Sequence, residues 1–141
     1  MKRKGMAVWE GGMPEGSGSI STDSGVLNQA QYSFSTRFEN GIGTNPEELI
    51  AAGHAGCFSM ALAAELGQAG IKPESISTTA TVTLAMVDGG FAITAVHLEV
   101  TAKIADGDEA AFGKAATSAK AGCPVSKVLN AEITMDAKLV T

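Results

Sequence analysis

Apolar and polar residues alternate at several places along the chain, and between them lies one long stretch with no polar face. Tyr32, Phe34, Thr36 and Phe38 fall on one side of an extended segment, with Ser33, Ser35 and Arg37 on the other, which predicts a strand. Residues 79–87 and 95–104 alternate too, and Asp88-Gly89-Gly90 between them has the chemistry of a hairpin turn. In the second of these, Val96, Leu98, Val100 and Ala102 oppose His97, Glu99, Thr101 and Lys103, so one face is wet. Ile133, Met135, Ala137 and Leu139 predict a closing strand. The first third is rich in Gly and Ser, with short β-like pieces at 5–9 and 18–22.

The unbroken apolar stretch carries helix signals at both ends. Asn45 can cap, Pro46 suits the first helical position, and Glu48 stands three residues after the cap. The pattern predicts a helix to about Ala69, closed by Gly70. It is apolar on nearly every side through its middle and is expected to be buried all round. Asp106-Gly107-Asp108 opens a small-residue helix that keeps Phe112 inside and stops at Gly122, and Cys123-Pro124 starts a further turn or two. No repeat or low-complexity linker interrupts the chain. The class is α+β, with antiparallel sheets around a buried helix in a single domain, 1–141.

That helix needs more apolar cover than one chain of 141 residues with 5% aromatics readily supplies. Gly53, Gly56 and the surrounding alanines leave a flat groove. A homodimer whose sheets wrap paired central helices would fill it, and so would Phe112 and the small-residue helix of the same chain. The pattern leaves both open.

Composition narrows the function. A formal charge of −5 argues against nucleic acid, which rewards clustered Lys and Arg. The basic start Met1-Lys2-Arg3-Lys4 leads into Glu10, Gly11 and Gly12 with no apolar h-region, so no signal peptide is expected. The uncharged run 49–64 is too short and too rich in Ala and Gly for a membrane span. The expected compartment is the cytosol, where a pair of thiols is more often catalytic than structural.

The two cysteines, Cys57 and Cys123, are the chemistry-bearing residues. An apolar helix is the ordinary setting of an inert buried thiol, and burial raises the pKa of Cys57. Arg37, the only arginine outside the basic tail, would favour the thiolate if its guanidinium reached that sulfur, although its place in the pattern equally suits a solvated strand face. Glu47 and Glu48 complement the macrodipole of a first helical turn. Glu48 can close the capping box, which leaves Glu47 free to hold Arg37 by a bidentate pair. On one unbroken helix, however, Glu47 and Cys57 lie about 15 Å apart along the axis, too far for one arginine to serve both. Either the helix breaks near Gly53 or the glutamate comes from a partner subunit. Cys123 sits at an N-cap position that lowers a thiol pKa. His54, three residues before Cys57, and His97 complete two His and two Cys, but their spacing matches no compact zinc motif.

Several segments resemble one family in order along the chain. Ser21-Thr22-Asp23-Ser24-Gly25-Val26-Leu27-Asn28-Gln29, Thr36-Arg37-Phe38-Glu39 and Gly43-Thr44-Asn45-Pro46-Glu47-Glu48-Leu49 are similar to the osmotically inducible protein C (OsmC) family. So are the 54–60 run around Cys57 and Ala121-Gly122-Cys123-Pro124-Val125-Ser126. The arginine in Thr36-Arg37-Phe38-Glu39 is similar to the OsmC branch rather than to the sister organic hydroperoxide resistance branch. Gly56 stands where the family more usually has alanine. The resemblance implies an intertwined α+β homodimer with two sites at its interface. It implies that Cys57 is the peroxidatic thiol, Cys123 the resolving one, and Arg37 with Glu47 the activating pair. Organic hydroperoxide would be reduced through a Cys57 sulfenic acid and a Cys57–Cys123 disulfide, with dihydrolipoyl groups as the implied reductant. No metal, flavin or haem is called for. Phe34, Phe38, Phe58 and Met60 are the expected walls of an apolar approach. A peroxide-responsive sensor or a non-catalytic module for a small hydrophobic ligand would use the same residues differently.

Overall fold

Short strands punctuated by glycine build the beginning of the chain. The computed structural model describes all 141 residues, and its backbone divides into two compact units, Met1–Leu49 and Ile50–Thr141. In unit 1, β1 (Gly5–Glu10), β2 (Ser17–Thr22) and β3 (Ala30–Ser33) form an antiparallel meander in the order β1-β2-β3. Trp9 packs against Tyr32 with ring centroids 5.3 Å apart. They meet beside Gly18, where a Cβ would collide with the Val8 carbonyl and the Tyr32 ring. The whole of β1 is exposed in the single chain.

The strand expected to run through Phe38 ends at Ser33, and α1 (Phe34–Phe38) takes its place. A capping box explains the change. The Ser33 hydroxyl accepts the Thr36 N–H at 3.3 Å, and the Ser33 N–H donates to Thr36 Oγ1 at 2.8 Å. Arg37 therefore stands on a helical turn, not on a strand's polar face.

Helix α2 (Pro46–Gln68) begins in unit 1 and continues through unit 2 without a break at Gly53. Asn45 Oδ1 caps it by accepting the Glu48 N–H at 2.8 Å. The Glu48 carboxylate accepts from the Thr44 hydroxyl at 2.8 Å instead of closing the expected box. At the far end Gly70 adopts φ +75°, and the Ile71 N–H returns to the Leu66 carbonyl at 2.9 Å. The buried positions His54, Phe58, Leu62 and Leu66 recur every four residues, so α2 buries one stripe rather than all its faces. Within one chain, Met60 is 77% exposed and a Cβ at Gly53 or Gly56 would meet nothing within 4 Å. By length and composition α2 could also cross a membrane, yet Phe58, Leu62 and Leu66 are wholly buried in the unit 2 core.

Unit 2 adds β4 (Ser75–Val87) and β5 (Gly90–Lys103), an antiparallel hairpin turned by Asp88 and Gly89 at φ 49° and 82°. Helices α3 (Glu109–Gly122) and α4 (Pro124–Val128) follow, then β6 (Glu132–Val140). Asp108 caps α3 by accepting the Ala110 and Ala111 N–H groups at 2.7 and 3.1 Å. Strand β6 pairs parallel to β5, so this sheet is mixed and not antiparallel throughout. The α3–α4 crossover returns the chain to the same end of the sheet before β6 begins, which dictates the parallel pairing. Val96, Leu98, Val100 and Ala102 are all buried, as the alternation requires, and close over Phe58, Leu62 and Phe112. Full burial of each large apolar side chain contributes roughly 1.5–3 kcal/mol.

Candidate functional site

Within unit 1, the last turn of α1 presents Arg37 to Glu47 in the first turn of α2. Arg37 Nη2 donates to Glu47 Oε1 at 2.7 Å, and Nε approaches both carboxylate oxygens at 3.2 Å. Asn45 Nδ2 donates to the Thr36 carbonyl at 3.0 Å and ties the two elements together. The guanidinium also lies 5.4 Å from the centroid of Phe38, which packs on Phe34. Side-chain exposure is 38% for Arg37 and 12% for Glu47, so the carboxylate is fixed while the guanidinium keeps an open side. An ion pair this exposed adds about 1 kcal/mol or less to stability. Its value lies in aiming the guanidinium.

Beside Arg37 is a cavity of about 220 Å³ walled by Trp9, Met13, Tyr32, Phe34 and Phe38, with Ser33 and Pro46 at its margins. Phe34 and Phe38, two of the residues expected to wall an apolar approach, line this cavity. Phe58 does not, because it is wholly buried in the unit 2 core, and Met60 projects from α2 into solvent. Trp9, Met13 and Tyr32 escape a reading of motifs because they flank a strand pair whose register only the fold reveals.

Within unit 2, α2 carries Cys57, and Cys123 joins α3 to α4. Both thiols are free, with their sulfurs 2.8 Å apart. That distance exceeds a disulfide bond of about 2.04 Å by less than 1 Å, so closing the bond needs little motion. Burial pushes the Cys57 thiol up, and its hydrogen bond with Cys123 pushes further, against a lowering contact from the Val125 backbone. Burial also pushes Cys123 up, but hydrogen bonds from Cys57, from the Ser126 backbone and side chain and from the Val125 backbone bring it below the ordinary thiol value. In the fully protonated pair either thiol can donate. Once one proton is lost, Cys57 is the donor, because its thiol is raised while that of Cys123 is lowered. Cys123 is lowered, with its hydrogen bond to Cys57 the largest lowering cause where the N-cap position was the expected one. The expected thiolate at Cys57 is not produced by the groups of unit 2.

His54 is wholly buried and its Nε2 lies 2.8 Å from Ser126 Oγ. His97 engages Thr134 Oγ1 at 2.7 Å through Nδ1 and Asp136 Oδ2 at 3.3 Å through Nε2. The two imidazoles thus have separate partners. In the sequence Ser126 stands out only as part of a motif, and its bond to His54, 72 residues away, is visible only in the fold.

Residues 39–138 match the family described as OsmC-like protein. The chain is 56% identical over 137 residues to peroxiredoxin OsmC of Escherichia coli (strain K12), covering 97% of this chain and 96% of that protein. It is 35% identical over 123 residues to organic hydroperoxide resistance protein OhrB of Bacillus subtilis (strain 168), covering 86% and 87%. The crystal structure of the Bacillus subtilis OhrB superposes with a TM-score of 0.74 at 30% identity, over 96% of this chain and 98% of that one.

Proposed function

The chain belongs to the OsmC-like protein family, and from that premise we propose that it is a thiol peroxidase that reduces organic hydroperoxides to alcohols in oxidative and osmotic stress defence. The observation that carries this reading is the approach of two free thiols to 2.8 Å. The Cys57 thiolate attacks the terminal peroxide oxygen. An S–O bond forms as the O–O bond breaks, the alkoxide leaves and takes up a proton, and Cys57 becomes a sulfenic acid. Cys123 then attacks that sulfur, forming the disulfide and releasing water. A dithiol, free or lipoyl-borne, restores both thiols by exchange in the cytosol.

Arg37, aimed by Glu47, stabilises the Cys57 thiolate and the charge developing on the peroxide oxygens. In this reading residues 1–141 act as one domain within a homodimer, and each Cys57 receives its guanidinium from the partner. Three observations support the dimer. The Arg37–Glu47 pair closes within one chain, so the glutamate is not borrowed alone. Helix α2 is unbroken, so ten residues separate Glu47 from Cys57 by about 15 Å along its axis. The groups around the thiols lean the charge toward Cys123, and a cation beside Cys57 would reverse that preference. The aromatic cavity beside Arg37 suits the alkyl tail of a hydroperoxide better than hydrogen peroxide.

The test is consumption of an alkyl hydroperoxide in the presence of dithiothreitol. Many turnovers per chain are expected, faster than with hydrogen peroxide. A single equivalent consumed would make the protein a sensor, and none would make it a binding module.

A further inference from the structure

The fully buried His54 has no part in the cycle described above, yet it is aimed at the resolving thiol through one intermediate. Its Nε2 lies 2.8 Å from Ser126 Oγ, and Ser126, three residues after Cys123 at the start of α4, is among the groups that lower that thiol. The other ring nitrogen, Nδ1, is buried without a partner. A serine hydroxyl has one proton to give. If that proton points at Cys123, Ser126 must accept from the imidazole, which fixes the Nε2–H tautomer and leaves only a lone pair, not an N–H, unsatisfied at Nδ1. Burial also holds the His54 pKa below the ordinary histidine value, so the ring is neutral and the charge in this cluster belongs to the thiols.

We infer that His54 is a positioning residue which, by donating to Ser126, points the Ser126 hydroxyl at Cys123 and holds that sulfur as the attacking thiolate when the disulfide closes. The inference rests on the peroxidase reading for the step it serves. After peroxide has converted Cys57 to its sulfenic acid, Cys57 no longer carries the thiol that donated to Cys123. Ser126 is then the remaining side chain of unit 2 that lowers the Cys123 thiol. In the closing step the Cys123 sulfur forms the S–S bond while the S–O bond of Cys57 breaks. The departing hydroxide combines with the proton that Cys123 gave up, so water leaves and no other oxidant or reductant is needed. The Ser126 proton stays on its oxygen throughout. Burial alone would leave Cys123 mostly protonated near neutral pH. A hydroxyl donor that returns its pKa toward the ambient pH raises the thiolate fraction without removing the nucleophilicity that a very acidic thiol loses.

Two readouts separate this role from simple packing. In a Cys57→Ser background Cys123 is the only thiol, and its ionisation is followed by thiolate absorbance near 240 nm. Adding Ser126→Ala is expected to raise the titration midpoint by about one pH unit, the scale of one hydrogen bond to a charged group. In the protein with both cysteines, mixing with one equivalent of alkyl hydroperoxide in a stopped-flow instrument resolves Cys57 oxidation and then disulfide closure. Ser126→Ala and His54→Leu are expected to slow closure about tenfold while leaving the first phase alone. His54→Gln, which can place an amide N–H where Nε2 stands, restores closure, whereas His54→Asn does not. Because either single deletion strands a buried polar group, the double variant Ser126→Ala/His54→Leu, which removes both partners, is measured beside them and is expected to close equally slowly. An unchanged midpoint and closure rate in Ser126→Ala, or equal slowing by His54→Gln and His54→Leu, overturns the inference. If the native protein shows no peroxide-dependent phase, the peroxidase reading falls, and the 240 nm titration still decides whether Ser126 holds the Cys123 thiolate.

Discussion

Arg37 and Glu47 meet in a unit that contains no cysteine, whereas Cys57 and Cys123 meet in a unit that contains no arginine. The first pair is fully prepared: a capping box sets α1, Asn45 ties it to α2, and Glu47 grips one side of the guanidinium while the other stays open. The second pair is prepared only for the second step of the proposed cycle. Its sulfurs lie 2.8 Å apart, but Cys57 is raised and Cys123 lowered, so charge is favoured on Cys123, the thiol that acts last in the proposed cycle. In the proposed reading, a cation organised in one unit and a nucleophile in the other divide the labour, and a homodimer would bring them together. Variants that damage one unit at a time can break or sharpen this account.

The largest effect is expected from Cys57→Ser. Turnover of alkyl hydroperoxide falls to the uncatalysed background, because a hydroxyl is far less nucleophilic than a thiolate. Substantial peroxide consumption by this variant in the dithiol assay removes Cys57 from its role. Next comes Cys123→Ser, which also abolishes multiple turnover yet still reacts with one equivalent of peroxide. It then stalls at the Cys57 sulfenic acid and drifts to irreversible over-oxidation. Mass spectrometry distinguishes the outcomes: native protein loses two hydrogens as the Cys57–Cys123 disulfide, and the variant gains oxygen at Cys57. Native protein that gains oxygen at Cys57 while Cys123 stays alkylatable excludes the two-cysteine cycle.

Arg37→Ala leaves both thiols in place and tests whether unit 1 acts on unit 2 chemistry at all. The rate of Cys57 oxidation is expected to fall about 10²–10³-fold, the scale of losing one preorganised charge-stabilising group. The sign of its pH dependence follows from the raised Cys57 pKa. Without the guanidinium the reactive thiolate appears only at more alkaline pH, so the rate–pH profile of the variant shifts upward. Profiles with the same midpoint in both proteins sever Arg37 from the thiol.

These residues were legible in the sequence to different depths for physical reasons. The wet and dry faces of β5 follow from strict alternation, and Val96, Leu98, Val100 and Ala102 are buried accordingly. The same period misleads at α1, because Phe34 and Phe38 lie two steps apart on one strand face and also one turn apart on a helix, and the Ser33–Thr36 cap decides for the helix. Alternation in β6 reads the same for parallel and antiparallel pairing, so direction waits on the crossover. The composition of α2 announces a need for cover but not who supplies it, and one chain covers a single stripe. Arg37, Glu47, Cys57 and Cys123 stand out by chemical type and scarcity. Ser126, Trp9, Met13 and Tyr32 are common residues whose importance is purely positional.

A smaller effect concerns stability. The folded-state pKa of His54 is depressed by burial, so as pH falls through the ordinary histidine range the unfolded chain binds a proton that the folded chain refuses. Stability contributed by this site is present above about pH 6.5 and declines below it. Denaturant unfolding followed across that range is expected to show the decline in native protein and a flatter profile in His54→Gln. Parallel profiles would mean that His54 does not titrate between the two states.

The most direct test of the shared site pairs two crippled chains. Arg37→Ala and Cys57→Ser chains, co-expressed with different tags and purified as mixed dimers, are assayed for alkyl hydroperoxide reduction with a dithiol. If the guanidinium of one copy serves the partner's Cys57, each mixed dimer contains one site with both groups intact and one with neither. Its activity is then expected to be about half that of the native dimer, far above either parent. Activity no greater than that of the Arg37→Ala dimer contradicts the account and returns the activating arginine to the same chain as its thiol.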